Sequence, residues 1–85
     1  MIEIQKRHVE IICSDGVLLR GFINVIQDRK VIDLLKDTNE SFILLNDVEI
    51  DYKVEAQSFK LVTKAVEQRK SIILNKAAIK WITEI

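Results

Sequence analysis

The sequence predicts a mainly β fold: a small, five-stranded, strongly bent barrel with one short inserted α-helix at about 28–38. Three observations carry this. Val9-Glu-Ile-Ile-Cys-Ser-Asp-Gly-Val-Leu-Leu-Arg-Gly-Phe-Ile23 is two apolar runs joined by Asp15-Gly16, a hairpin signal because a tight turn needs positive φ. Ser71-Ile-Ile-Leu-Asn-Lys-Ala-Ala-Ile-Lys-Trp-Ile82 is two more short runs around a four-residue connection. Between them, Phe42–Tyr52 is rich in Ile, Leu and Val with partial alternation. With 85 residues, the chain 1–85 reads as one domain.

The first strand is expected over His8–Ser14, with Val9, Ile11 and Cys13 on one face and Ile12 on the other. A two-residue Asp15-Gly16 turn would set Cys13 opposite Leu18, Ile11 opposite Arg20 and Glu10 opposite Gly21. Gly21 inside a strand signals a sharp bend or a close approach of two backbones. Asp28–Thr38 breaks the alternation. Val31, Leu34, Leu35 and Thr38 fall at helical spacing behind Asp28 as N-cap, with charged residues on the other face. Phe42–Tyr52 changes phase at Asn46-Asp47, which predicts a bulge there.

Residues 53–70 fit two patterns. Phe59, Val62 and Val66 suit a helix, whereas Phe59, Leu61, Thr63 and Ala65 alternate as in a strand. An extended hairpin arm is the expectation, because the flanking segments need antiparallel neighbours. Ser71–Leu74 and Ile79–Ile82 are the last strands, around a single 3₁₀-like turn at Asn75–Ala78. Trp81 is expected to cap the core or an edge.

The composition restricts function more than it assigns one. Thirteen basic and thirteen acidic residues cancel, so no global field draws the chain to a polyanion. The distribution is uneven: 33–55 holds seven acidic and two basic residues, and 57–83 six basic and one acidic. That asymmetry could steer one subunit onto another or turn a basic face to RNA. Hydrophobic residues make up 48% of the chain. A domain of this size struggles to hide so much apolar surface, so self-association is expected.

A lone Cys13 permits no intrachain disulfide. The opening residues lack a signal-like apolar core, and no apolar run approaches the roughly 20 residues of a membrane helix. A cytoplasmic location without membrane contact is therefore expected. His8 and Cys13, five apart on a strand, point to opposite faces and cannot share a metal or a nucleophilic pair. Asp47, Glu49 and Asp51 could line a cation site or form a solvated strand edge. No phosphate loop or hydrolase motif is present. No catalysis, cofactor or metal is expected.

The order of strand, Asp-Gly turn, strand with internal Gly, acidic strand end and two short strands around a tight turn resembles the Sm-like barrel. The residues that carry the likeness are Val9, Ile11, Asp15, Gly16, Gly21 and Ile23, then Leu44, Leu45, Asp47 and Glu49, then Ile72, Leu74, Asn75, Lys76 and Ile79. The helix at Arg29-Lys-Val-Ile-Asp-Leu-Leu35 makes the chain most similar to bacterial proteins of unknown function that insert a helix between the second and third strands. The resemblance covers about two thirds of the chain and leaves out Lys53–Lys70.

It implies a homo-oligomer assembled through edge strands and, in many family members, uridine-rich RNA as ligand. Family RNA binders place an Asp and an Asn in the loop before the third strand and an Arg-Gly pair in the last turn. Here a helix replaces that loop and Asn75-Lys76 stands at the turn. The expected function is thus a non-enzymatic binding or assembly module acting as a homo-oligomer. RNA binding through the basic 57–83 region is the alternative, with Lys70, Asn75 and Lys76 as candidate contacts. A third reading has Val31, Leu34 and Leu35 docking a protein partner.

Overall fold

A computed structural model describes residues 3–52 and 65–85. Five antiparallel strands form one sheet: β1 (Ile4–Cys13), β2 (Leu18–Ile26), β3 (Phe42–Tyr52), β4 (Ala65–Asn75) and β5 (Ile79–Glu84). One helix, α1 (Val31–Lys36), lies between β2 and β3, and a 3₁₀ turn (Lys76–Ala78) joins β4 to β5. The spatial order is β4-β3-β2-β1-β5.

The first and last strands of that order are consecutive in sequence. A flat five-stranded sheet would hold them roughly 19 Å apart, from four spacings of about 4.8 Å. The four Cα steps from Asn75 to Ile79 span at most about 15 Å. The sheet must therefore roll until its edges approach at this end. Among the described residues β4 and β5 do not pair with each other. The expected barrel is thus matched in its five antiparallel strands and single helix, and the sheet they form is rolled and open.

The core lies on the inner face of the roll. Val9, Ile11, Val25, Leu45 and Val48 are its most deeply buried side chains. Val31 from α1 and the half-buried Ile72, Leu74 and Ile82 close around them. Cys13 belongs to this core, and burial raises its thiol pKa, with Asp15 adding to the effect. The two-residue turn is corrected. Cys13 N–H donates to Val17 O at 2.9 Å and Gly16 N–H to Cys13 O at 2.9 Å, so Ser14, Asp15 and Gly16 form a three-residue loop. Only Gly16 takes positive φ there, at 91°, and Asp15 Oδ1 accepts from Val17 N–H at 3.1 Å. The register moves by one: Ile11 faces Leu19, Glu10 faces Arg20 and Val9 faces Gly21. A one-residue slip exchanges the faces of a whole strand, and this register puts Leu19 rather than Arg20 in the core.

β1 begins at Ile4, ahead of the expected His8, because Ile4 through Arg7 stay in ladder with Ile26 through Ile23. The bulge expected at Asn46-Asp47 is present. Arg20 pairs with Glu49 but Phe22 pairs with Asn46, which leaves one extra residue on β3, and Asp47 adopts φ 49°. Gly21 lies against this bulge. The helix is shorter than 28–38, and its N-cap is Lys30 rather than Asp28. Asp28 occupies a left-handed turn at φ 69°. Asp33 accepts the Lys30 N–H at 2.8 Å, and Asp37 Oδ1 accepts from Asn39 N–H at 3.0 Å, turning the chain out of the helix before Thr38. Of the 53–70 segment, Ala65–Lys70 is strand, as the arm reading expects. The remainder, 53–64, lies outside the described residues.

Candidate functional site: the apolar edge of β4

The outer surface of the roll separates into a polar region and an apolar one. Arg20 joins three strands in the polar region. Its Nε donates to Glu10 Oε2 at 2.9 Å and its Nη1 approaches Glu49 Oε1 at 3.5 Å. The Glu10 hydrogen bond raises the Arg20 pKa, while partial desolvation opposes it and the neighbouring carboxylates reinforce it. Asp47 pairs with Lys6 at 3.7 Å. Two of the three acidic residues weighed as a cation site therefore already have cationic neighbours, and no cluster suited to a metal ion occurs among the described residues. His8 stacks on Phe22 with ring centroids 4.6 Å apart, on the face opposite buried Cys13.

The residues singled out for RNA contact divide. Asn75 Oδ1 accepts from Ala77 N–H at 2.9 Å and closes its own turn. Lys76 reaches back to α1, where its Nζ donates to Leu34 O and, at 2.8 Å, to Asp37 O. These carbonyls lie at the C-terminal end of the helix, where a cation is favoured by the unsatisfied groups and the helix dipole. Lys76 is thus a helix clamp in this arrangement. Lys70 remains exposed on β4. Lys76→Met is expected to cost about 1 kcal/mol, the scale of a partly exposed charge-assisted hydrogen bond. Amide hydrogen exchange should show the loss first in α1.

The docking stripe also divides. Val31 is buried and Leu34 packs on the core, so both attach the helix to the sheet. Leu35 is half-buried, and Ile32, which helical spacing left off the stripe, is the exposed apolar residue of α1.

The apolar region lies at the β4 edge. Phe42 is 54% exposed, Leu44 50% and Ile73 72%, with Leu44 directly opposite Ile73 in the ladder. Beside them is a groove of about 280 Å³, lined by Leu34, Asp37, Phe42, Leu44 and Lys76. Sequence inspection missed this surface. Leu44 and Ile73 each sit inside a continuous apolar run, Ile-Leu-Leu and Ile-Ile-Leu, where period alone does not tell which residue faces out.

The opposite edge differs. Trp81 is about half exposed, with Lys80 Nζ 5.0 Å from the ring centroid. β5 has only six residues and its pairing with β1 is interrupted between Ile12 and Cys13. A short strand, a lysine and a bulge are devices that discourage edge pairing. Comparison of this chain with protein-family models, curated proteins and solved structures finds no match.

Proposed function

We propose that this chain is a non-enzymatic binding or assembly module that acts as a homo-oligomer in the cytoplasm. The observation that carries this reading is the exposed apolar surface formed by Ile73 on the edge strand β4 and by Phe42 and Leu44 on the adjoining β3. Contiguous exposed apolar surface beside unpaired main-chain groups favours association. An Sm-like kinship belongs to the same proposal. It is supported by the five-strand order and by the close approach of Gly21 to the neighbouring strand, which fit the strand with an internal glycine in the resemblance. RNA binding through the basic 57–83 region draws less support, because Asn75 and Lys76 are engaged within the chain. The test is mass in solution by light scattering across micromolar concentrations. The expected result is a multiple of 9.9 kDa, and a monomer at high micromolar concentration overturns the proposal.

A further inference from the structure

The direction of the main-chain groups narrows the choice of partner surface at the β4 edge. Lys76 N–H donates to Ser41 O at 2.8 Å, in the same register that pairs Phe42 with Asn75 and Ile43 with Leu74. In an antiparallel ladder, hydrogen-bonded and non-hydrogen-bonded pairs alternate. Ile72 and Leu74 therefore turn their N–H and C=O groups to β3, and Ser71, Ile73 and Asn75 turn theirs outward. The side chains of these outward-turned residues lie on the outer face of the roll, because Ile72 and Leu74 pack on the core.

On β5 the relation is reversed. Ile85 N–H donates to His8 O at 2.9 Å, in register with Val9↔Glu84. Thr83 and Trp81 thus face β1, and Ile82 turns its main chain outward. The Ile82 side chain packs on the core. Residues paired directly across two strands share a face. Laying β5 of one copy along Ser71–Asn75 of another would set core-facing Ile82 against outward-facing Ser71, Ile73 or Asn75. The two edges do not match along this stretch.

The β4 edge does match itself. We propose that two copies pair antiparallel through Ser71–Asn75 about a two-fold axis at Ile73. This rests on the homo-oligomer reading above and specifies its interface. Ile73 then opposes its own copy on the outer face, flanked by Leu44 from each chain. Ser71 opposes Asn75, and Ile72 opposes Leu74 on the core side, so the apolar interior continues from one subunit into the next. The outward N–H and C=O of Ile73 and the C=O of Ser71 gain partners, as a buried edge requires. The C=O of Asn75 already accepts within the 3₁₀ turn that it caps. The stretch contains no charged residue, so no like charges oppose each other within it, and Arg69-Lys70 lies just beyond. A two-fold arrangement of this kind is isologous and closes at two subunits.

The experiment uses the full chain. Ile73→Lys places two ammonium groups at the axis, and because Ile73 is largely exposed the subunit should still fold, as circular dichroism can verify. The expected result is a dimer for the parent chain and a monomer for I73K, with the dissociation constant raised at least about 100-fold. I73C should form an intersubunit disulfide under mild oxidation, since directly opposed residues lie about 5.5 Å apart, within disulfide reach. Buried Cys13, in the unsubstituted chain, serves as the control. An oligomer larger than a dimer, or a dimer untouched by I73K and uncrosslinked in I73C, overturns this interface while leaving the homo-oligomer reading standing. A parent chain that is monomeric overturns both.

Discussion

Leu45→Ala is expected to destabilise the domain by about 2–5 kcal/mol, the range for emptying a fully buried leucine site. Leu45 has no exposed surface. It sits in β3, opposite Ile72 of β4, in the core with Val9, Ile11 and Val25. In so small a core few neighbours can move into the vacancy, which places the cost toward the upper part of that range. Total stabilities of single domains are only about 5–15 kcal/mol, so the variant should be close to unfolding at physiological temperature. Thermal denaturation at fixed protein concentration reads this directly. A fall in Tm of at least about 10 °C is expected, given about 4–8 °C per kcal/mol for a domain of this size. A fall below about 4 °C would show that the site collapses, or that Leu45 is not the centre of the core.

The second large effect is expected at Gly21. A Cβ built there would lie 3.0 Å from Asn46 O and 3.3 Å from Val48 Cγ2. The first contact is with backbone at the bulge of β3, which has no rotamer by which to retreat. Gly21→Ala should therefore cost about 1–3 kcal/mol, the scale of overpacking, even though alanine ordinarily suits a strand better than glycine. Gly16→Ala makes a contrasting comparison. Nothing lies within 4 Å of that position, and only its φ of 91° opposes a side chain. A Gly21→Ala variant as stable as the parent in urea would show that β2 and β3 can separate at the bulge without loss.

Much of the fold was legible because local chemistry and tertiary role agree. Phe42–Tyr52 reads as a strand and is one, and its change of phase at Asn46-Asp47 marks a real bulge. Asn75 reads as a turn residue and caps the 3₁₀ turn with its own side chain. What was not legible depends on partners remote in sequence. The hairpin register was set by which of Leu19 and Arg20 the core accepts, and the Asp15-Gly16 pair alone pointed to the tighter loop. The length of α1 was set by Asp37 turning the chain and by Lys76 reaching the helix end from the turn after β4. A lysine in a turn reads as solvated until the carbonyls it meets are known.

The candidate surface was hidden for a related reason. Self-association is expected from the apolar content as a whole, but the residues proposed to carry it, Leu44 and Ile73, are indistinguishable in sequence from their inward-facing neighbours Leu45 and Ile72. Only the ladder separates them.

The placement of β5 beside β1 has a consequence for the order of folding events. The contact of Val9 with Glu84 spans nearly the whole chain. Closing so long a loop costs entropy before any contact compensates for it, and topologies rich in such contacts fold slowly. During synthesis β1 and β2 can form their hairpin early. The core face of β1 then waits for Ile79–Glu84 to be made before its outer neighbour arrives. Until β5 is made, β1 itself is an edge strand, with Val9 and Ile11 incompletely covered.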